Sequence, residues 1–267
     1  MYNLTDMHLH SKFSWDAGQT IDEIAAKALA KKMSYICVTE HIDFMDDHNH
    51  NYTKFDYEGY TAAIEKARGV FHSFGKGIEA GEVHIYADRF EKFMEGKEFD
   101  YILGSLHDLE GHTPVFDAYF ARYQSIEDAY RAYLEEEYRL IKAGGFDVAA
   151  HVTLVHRRGA EFFPDFTYEK FKTEIDDILK LMITKKIGLE VNTSGLRSHS
   201  KDIIPCLDTV KAYAALGGDI ITIGSDGHII EDTFFAIEKG CEMLYLAGVT
   251  EVCVFEKRKP VRIKLKK

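Results

Sequence analysis

Histidine and carboxylate side chains recur in this sequence directly after short apolar segments. The chain contains 13 His, and the following residues occupy such positions: His8, His10, His41, His107, His151 and His228, together with Asp6, Glu40, Glu79 and Asp226. Imidazole and carboxylate groups are the usual protein ligands of zinc, manganese and iron. A catalytic zinc ion typically takes about three protein ligands, so this set exceeds the need of one ion. The residue types therefore indicate metal-dependent chemistry with at least two ions, and we expect three.

No single one of these motifs establishes a metal site. The His-x-His motif of His8 and His10 places both side chains on one face of a strand, which suits chelation but also occurs in surface pairs. A lone His after a strand is more often an ordinary hydrogen-bonded residue. The metal interpretation depends on the coincidence of all the motifs with predicted strand ends. The other histidines fall in predicted loops or helices and are interpreted mostly as surface residues, with His48 and His50 as candidates for a substrate loop.

The elements that must position these residues alternate along the chain. Apolar runs predict strands at Tyr2–Met7, Tyr35–Thr39, Gly77–Ala80, Tyr101–Gly104, Phe146–Ala150, Ile187–Val191 and Asp219–Ile223. Helical periodicity predicts helices at Ile21–Lys32, Tyr57–Phe74, Ala87–Gly96, Ile126–Ala143, Tyr168–Lys185, Ile203–Leu216 and Thr233–Leu246. This alternation implies parallel strands with right-handed crossovers, and a closed α/β barrel is the natural architecture at this length. An open doubly wound sheet is the alternative, but no Gly-rich phosphate loop follows the first strand.

Closure into a barrel explains how residues far apart in sequence form one site. The C-terminal ends of parallel barrel strands meet at the rim where active sites are built. Asn192 and Arg197 follow the sixth predicted strand, and Arg157 and Arg158 follow the fifth. Arg makes bidentate contacts with phosphate oxygens, although a surface salt bridge is an equal alternative for Arg158. Arg residues beside a multi-metal cluster favour a phosphate-bearing substrate.

Composition and charge exclude several classes of protein. The 267 residues, 46% of them hydrophobic, suit a single barrel domain over residues 1–267. With 33 Lys and Arg against 44 Asp and Glu, the net charge of −11 opposes binding to nucleic acid or anionic membranes. No apolar run is long enough for a bilayer span, and no signal peptide is visible. The four Cys form no CxxC pair, so we interpret them as reduced thiols of a cytoplasmic protein.

The chain ends in the basic segment KRKPVRIKLKK, residues 257–267. We interpret this tail as a solvated terminal strand whose charges oppose aggregation. The alternative is a patch that binds an anionic partner.

Taken together, the motifs resemble those of the PHP (polymerase and histidinol phosphatase) family of metal-dependent phosphoesterases. The matching segments are DMHLHS with Asp16 downstream, TEH, GIEAGE, GSLHD, AHVTLVHR, EVNTSGLR and GSDGH, in the order typical of the family. The combination of AHVTLVHR with NTSGLR is similar to the histidinol-phosphatase branch. The resemblance implies a distorted (β/α)7 barrel with three divalent ions, which would be zinc, manganese or iron.

The resemblance also implies roles for individual residues. The first ion would bind His8, His10, Glu79 and Asp226, the second Glu79, His107 and His151, and the third Asp16, His41 and His228. Arg157 and Arg197 would hold the phosphate, and Asp226 or a water molecule would protonate the leaving alkoxide. The predicted catalytic residues are therefore Asp226, His228 and Arg197. Glu82 and the Asp43–His50 loop are the candidate acceptors for the amine and imidazole of the substrate.

Three positions depart from the family pattern. Asp16 stands where some relatives carry His, which bears on the metal preference of the third site. Thr153 stands where this branch often has an acid that recognises the substrate amine. Glu82 is a second acid close to Glu79, and we choose Glu79 as the residue shared between two ions because GIEA is the better motif match.

The predicted function is hydrolysis of L-histidinol phosphate, a small phosphorylated substrate, in histidine biosynthesis. One alternative is a PHP phosphoesterase that acts on another small phosphate ester, on nucleotides or on nucleic-acid ends. Another is a non-catalytic metal-binding protein that keeps the barrel, against which the rim Arg residues argue. A metal-dependent amidohydrolase shares the ligand types but usually has a bridging Lys on a barrel strand, and no predicted strand here ends in Lys.

Overall fold

A seven-stranded parallel sheet forms the centre of the computed structural model, which describes residues 2–45, 52–164 and 166–266. The strands lie in sequence order and are β1 (Thr5–Asp6), β2 (Tyr35–Ile42), β3 (Phe74–Gly81), β4 (Tyr101–Ser105), β5 (Val148–Ala149), β6 (Gly188–Asn192) and β7 (Ile221–Gly224). Met7 N donates to the Ile223 carbonyl (2.8 Å) and Asp226 N to the His8 carbonyl (2.8 Å), which joins the two edges of the sheet. These bonds close the sheet, and the predicted (β/α)7 barrel is confirmed.

Helices surround the sheet and connect its strands. They are α1 (Ile21–Lys31), α2 (Tyr57–Arg68), α3 (Ala87–Met94), α4 (Asp117–Phe120), α5 (Ile126–Ala143), α6 (His156–Gly159), α7 (Lys172–Lys185), α8 (Leu207–Ala215) and α9 (Ile237–Leu246), with single 3-10 turns at Tyr52–Lys54, Tyr168–Phe171 and Thr193–Arg197. A capping box starts α1, where Glu23 N donates to Thr20 Oγ1 (3.2 Å) and Thr20 N to Glu23 Oε2 (2.7 Å). Each helix within the described ranges is too short or too polar to span a bilayer.

Several predicted helix boundaries are wrong because the terminal residues make other contacts. The helices predicted at Tyr57–Phe74, Ile203–Leu216 and Thr233–Leu246 are observed at Tyr57–Arg68, Leu207–Ala215 and Ile237–Leu246. Phe74 pairs with Ile36 at the start of β3. Ile204 forms an antiparallel bridge with Asn192, and the Thr233 hydroxyl bonds to the loop before α1. Tertiary pairing therefore overrides helical periodicity at these ends.

An antiparallel hairpin of β8 (Glu251–Glu256) and β9 (Lys259–Lys264) follows the barrel. The inner strand β8 covers the N-terminal end of the barrel, where Phe255 packs on Tyr101 with ring centroids 4.9 Å apart. Tyr35 Oη donates to the Phe255 carbonyl (2.8 Å). Strand β8 was not predicted from the sequence, although the apolar run Val252–Phe255 was a usable signal.

Much of the basic tail lies in β9, which is largely exposed. Two arginines of the basic tail pair with acids at the base of the barrel. Arg258 Nε lies 2.6 Å from Asp147 Oδ2, and Arg262 pairs with Asp219. Asp147 and Asp219 precede β5 and β7, so these ion pairs attach the hairpin to the sheet.

Candidate metal centre

The predicted ligands gather at the C-terminal rim of the barrel. His41 lies near the C-terminal end of β2 and Glu79 near that of β3, and the two residues are register partners in the sheet. His8 and His10 follow β1, and the remaining ligands follow β4, β5 and β7 as His107, His151, Asp226 and His228. Asp16 comes from the loop between β1 and α1. Convergence of strand ends thus brings all of the predicted metal ligands together.

The first group of ligand atoms comes from His8, His10, Glu79 and Asp226. His8 Nε2 lies 3.1 Å from His10 Nε2 and 3.1 Å from Glu79 Oε2. Asp226 Oδ1 lies 3.5 Å from His10 Nε2 and 3.7 Å from His8 Nε2. Neighbouring ligands of a tetrahedral zinc ion are roughly 3.4 Å apart, given metal–ligand distances of about 2.1 Å. The observed separations fit one divalent ion.

The second group shares Glu79 with the first. Glu79 Oε1 lies 3.1 Å from His107 Nε2 and 3.0 Å from His151 Nε2, while its Oε2 faces His8 and His10. One carboxylate therefore has an oxygen in each ligand group, as a bridging ligand requires. Glu82 is placed differently, because its Oε1 accepts backbone hydrogen bonds from the loop after β4. The geometry favours Glu79 over Glu82 as the shared ligand.

The third group consists of Asp16, His41 and His228. Asp16 Oδ2 lies 3.2 Å from His228 Nε2 and 3.5 Å from His41 Nε2, and the two imidazole nitrogens are 3.4 Å apart. His41 Nδ1 also lies 3.1 Å from Glu79 Oε2. The third group is therefore adjacent to the first.

The protonation states of His10 and Glu79 fit metal binding, whereas nearby carboxylates raise the pKa of His8, His41, His107 and His228, so these four imidazoles must lose a proton when they bind an ion. Burial lowers the pKa of His10 well below 6.5, and the nearby His41 and His228 lower it further. Burial by itself would raise the pKa of Glu79, but the charges of His8, His107 and His41 hold it well below its usual range. Glu79 Oε2 accepts no hydrogen bond from the part of the chain that the structure describes. Neutral imidazole and ionised carboxylate are the forms that bind cations, so these residues suit divalent ions.

A buried acid, Glu190, lies behind the candidate ligands and orients the imidazole ring of His8. Glu190 Oε1 lies 2.6 Å from His8 Nδ1, and its Oε2 accepts from His151 N (2.7 Å). A carboxylate behind a ligating His fixes the ring and its tautomer. Gly224 permits the contact, since a Cβ at that position would overlap both Glu190 and His8. Glu190 was not among the residues predicted from the sequence, although an acid inside the apolar run Ile187–Val191 was a signal for it.

Backbone strain coincides with this rim. Glu82, His151 and Asp226 have φ values of 45°, 29° and 52°, in the left-handed region that side chains other than Gly rarely adopt. Such conformations cost about 1–3 kcal/mol each and persist where the surrounding structure enforces them. Strain at two ligands and a neighbouring acid is typical of a functional site.

The two predicted phosphate-binding arginines approach Asp226 from different sides. Arg157 Nη2 contacts Asp226 Oδ2 and Ser194 Oγ. Arg197 Nη2 donates to the carbonyls of Ser225 and Asp226, both at 3.1 Å. Arg197 Nη1 is buried and has no hydrogen-bond partner among the described residues. Burial tends to raise the pKa of Asp226, but the charge of Arg157, followed by that of His8, holds it well below its usual range.

A cavity of about 540 Å³ opens above the ligand groups. Its walls include Asp16, Glu79, Glu82, Arg157 and Asp226. Burial raises the pKa of Glu82 to about 7, and its Oε2 has no hydrogen-bond partner in the described ranges. Asp43 of the predicted Asp43–His50 loop also lines the cavity, whereas His48 and His50 lie outside the described residues. The cavity combines cation ligands, a guanidinium group and carboxylates, which is a suitable lining for an anionic ester that carries an amine.

Known proteins with similar sequences and folds are phosphatases by name. A protein of Clostridium acetobutylicum described as a probable histidinol-phosphatase is 28% identical, over 95% of this chain and 97% of its own. The histidinol-phosphatase of Lactococcus lactis is 27% identical, over 94% and 93%. The crystal structure of histidinol phosphate phosphatase from Lactococcus lactis, complexed with zinc, L-histidinol and phosphate, superposes with a TM-score of 0.87 at 22% identity. It covers 97% of this chain and 99% of its own.

The family comparison matches the part of the chain that builds most of the rim. A model of the PHP domain family matches residues 6–194, from the start of the first His-x-His motif to the loop after β6. Since this match spans well over half of the sequence, the chain belongs to the PHP domain family.

Proposed function

We propose that this protein is a metal-dependent phosphatase that hydrolyses L-histidinol phosphate to L-histidinol and inorganic phosphate, in histidine biosynthesis. The observation that carries the proposal is the position of Glu79, whose two oxygens face separate ligand groups beneath a cavity that also contains Arg157. Relatives named histidinol-phosphatase, which align over nearly the whole chain, support this substrate. A cytoplasmic location is part of the proposal, since the pathway uses soluble metabolites and the cysteines are free thiols.

Three divalent ions, of zinc, manganese or iron, are assigned to the three ligand groups. The groups are His8, His10, Glu79 and Asp226; Glu79, His107 and His151; and Asp16, His41 and His228. Bound divalent ions lower the pKa of water toward neutrality and offset the negative charge of phosphoryl oxygens. Zinc in the Lactococcus lactis enzyme supports at least one ion of this kind.

The side chains of the protein itself would bind the phosphoryl group and set its orientation. Arg157 lies in the cavity wall. Arg197, after the neighbouring strand, is outside that lining, and its buried Nη1, which no described residue bonds, is assigned as a second donor. Negative charge spreads over the phosphoryl oxygens as the group is transferred, so two guanidinium groups beside these oxygens would lower the barrier. The ion pair with Arg157 keeps Asp226 ionised, which suits a ligand and favours a water molecule over Asp226 as proton donor to the alkoxide. His228 would act in catalysis by holding the third ion next to the first.

Binding of the substrate amine is assigned to Glu82. Glu82 lines the cavity, its buried Oε2 has no hydrogen-bond partner among the described residues, and its Oε1 is held by backbone N–H groups of His107 and Asp108. An ammonium group would restore the ionised form of this buried carboxyl, since an adjacent positive charge lowers the pKa of an acid.

Phosphate release from L-histidinol phosphate by the metal-loaded protein tests the proposal directly. Glycerol phosphate and a nucleoside monophosphate serve as comparison substrates. We expect kcat/KM for histidinol phosphate to exceed that for both other esters by at least about tenfold, which is roughly 1.4 kcal/mol of discrimination. Equal rates on all three would indicate a phosphoesterase of broader specificity. No release with any ester from protein of full metal content would indicate a non-catalytic metal-binding protein.

A further inference from the structure

The cavity above the metal centre has an aromatic mouth. Two of its lining residues are large apolar side chains that are mainly exposed, namely Trp15 at 57% and Phe116 at 64%. Ligand pockets are commonly lined by aromatic side chains, so exposed rings that line a cavity are candidates for ligand contacts. Neither side chain is used by the phosphate chemistry described above.

The two residues come from separate rim loops. Trp15 directly precedes the candidate ligand Asp16, and its ring centroid lies 6.2 Å from that of His41 at an interplanar angle of 30°. Phe116 lies at the N-terminus of α4, after β4. Phe116 also lines a neighbouring cavity together with Arg157, so it stands where the metal cavity meets open solvent. The candidate ligands Glu79, His151 and Asp226 in the cavity lining are buried, whereas the two aromatic side chains are exposed, so the rings border the opening.

We propose that Trp15 and Phe116 bind the imidazole ring of the substrate and so determine specificity for an ester with an aromatic leaving group. This inference rests on the proposed function. A phosphate held by the ions and Arg157 directs the remainder of the ester toward the cavity opening, which these two rings border. An imidazole can stack on either ring, and its protonated form gains a cation–π attraction to Trp15.

Kinetics with paired substrates test this specificity. Trp15→Ala and Phe116→Ala should each raise KM for histidinol phosphate by about 3- to 10-fold, the usual effect of one aromatic contact. The kcat should change by less than about twofold, and kcat/KM for glycerol phosphate, which has no ring, should stay the same. Trp15→Phe should retain most of the affinity because it keeps a ring. Tyr245→Ala, which removes a 53% exposed aromatic side chain from α9, is the matched control. It should leave the kinetic constants for both substrates unchanged.

Intrinsic fluorescence gives an independent measurement, because Trp15 is the single tryptophan of the chain. L-histidinol added to the metal-loaded protein should shift the emission saturably, whereas inorganic phosphate alone should not. Phe116→Ala should weaken the apparent affinity for L-histidinol in the same titration. Metal analysis of both Ala variants must give wild-type content, since Trp15 adjoins Asp16.

The outcomes separate this inference from the proposed function. Equal losses on histidinol phosphate and glycerol phosphate, or no loss on either, would overturn the aromatic binding role. If the wild-type protein does not prefer histidinol phosphate, the proposed function fails and phenyl phosphate replaces it as the ring-bearing substrate. A rise in KM for phenyl phosphate in both Ala variants then supports the role of Trp15 and Phe116, and an unchanged KM refutes it.

Discussion

Removal of Arg197 is the perturbation that best tests the phosphate-binding geometry. Its Nη2 is already occupied by the Ser225 and Asp226 carbonyls, and its Nε lies 3.5 Å from Asp232 Oδ2. The buried Nη1 is bonded by no described residue and is the remaining donor that we assign to a phosphoryl oxygen, although Arg197 is not itself part of the cavity lining. Loss of one charge-assisted donor to a transition-state oxygen costs about 2–4 kcal/mol, or roughly 30- to 1000-fold in rate. We expect Arg197→Ala to lower kcat/KM for histidinol phosphate by that factor.

The assay combines phosphate-release kinetics with metal analysis and thermal unfolding of the same samples. Metal content should stay unchanged, because Arg197 is not a ligand. Arg197→Lys should recover only part of the activity, since an ammonium group cannot keep both carbonyl contacts and also reach the phosphate as a planar fork does. Arg158→Ala is the matched control, because that side chain pairs with Asp117 and Glu161. The control should change kcat/KM by less than about threefold.

A double variant with Arg157→Ala completes the test. If both guanidinium groups hold one phosphate, the two losses should not add. Wild-type kinetics in Arg197→Ala would refute the assignment of this loop to phosphate binding. Strictly additive losses would indicate that the two arginines act independently, on different groups or in different steps.

Three further predictions concern the ions and the fold. Chelation should abolish phosphatase activity and Mn²⁺, Zn²⁺ or Fe²⁺ should restore it, while His8→Ala should lose metal and activity together; full activity in chelated His8→Ala would exclude a metal mechanism. Asp16→Ala should lose about one ion per chain and keep the other two, and unchanged metal content by elemental analysis would remove Asp16 from the ligands. Burial raises the pKa of Glu137 well above 4.5. The native carboxyl therefore stays protonated at pH values where the unfolded one ionises. The free energy of unfolding falls as pH rises above 4.5, by up to about 1.4 kcal/mol per pH unit. Glu137→Gln has no carboxyl group to ionise, so it lacks this loss. In urea unfolding, the free energy of unfolding of the variant should rise relative to that of wild type between pH 5 and pH 8. A pH-independent difference would contradict the reasoning.

Most of the candidate metal ligands could be predicted from the sequence because they lie at or just after the end of an apolar run that becomes a barrel strand. Which of two acids close together in the sequence is the better candidate ligand depended on the three-dimensional register of the strands. Glu79 lies in β3 opposite His41 of β2, whereas Glu82 lies beyond the strand with a left-handed backbone that turns it to the next loop. Spacing in the sequence contains no information on that turn.

Other features depended on contacts between distant segments. Glu190 orients His8 across 182 positions of sequence, and the carbonyl partners of Arg197 come from the loop after β7. The partners of a buried polar group are set by tertiary structure, so residue type alone predicts that Arg197 is functional but not how it is held. The pairing of the basic tail with Asp147 and Asp219 was hidden for the same reason.

The hairpin beneath the barrel has a consequence for how this chain reaches its native state during synthesis. Val254 and Phe255 complete a core cluster with Met7 and Tyr101, and Asn3 N bonds to the Leu265 carbonyl (3.0 Å). The earliest and latest segments of the barrel therefore depend on each other. A nascent chain that has emerged as far as His228, in the loop after β7, contains all of the candidate metal ligands but has an uncovered apolar barrel base. Domains generally fold as units during translation, so ribosome-bound chains of this length should remain open to proteases until the hairpin emerges.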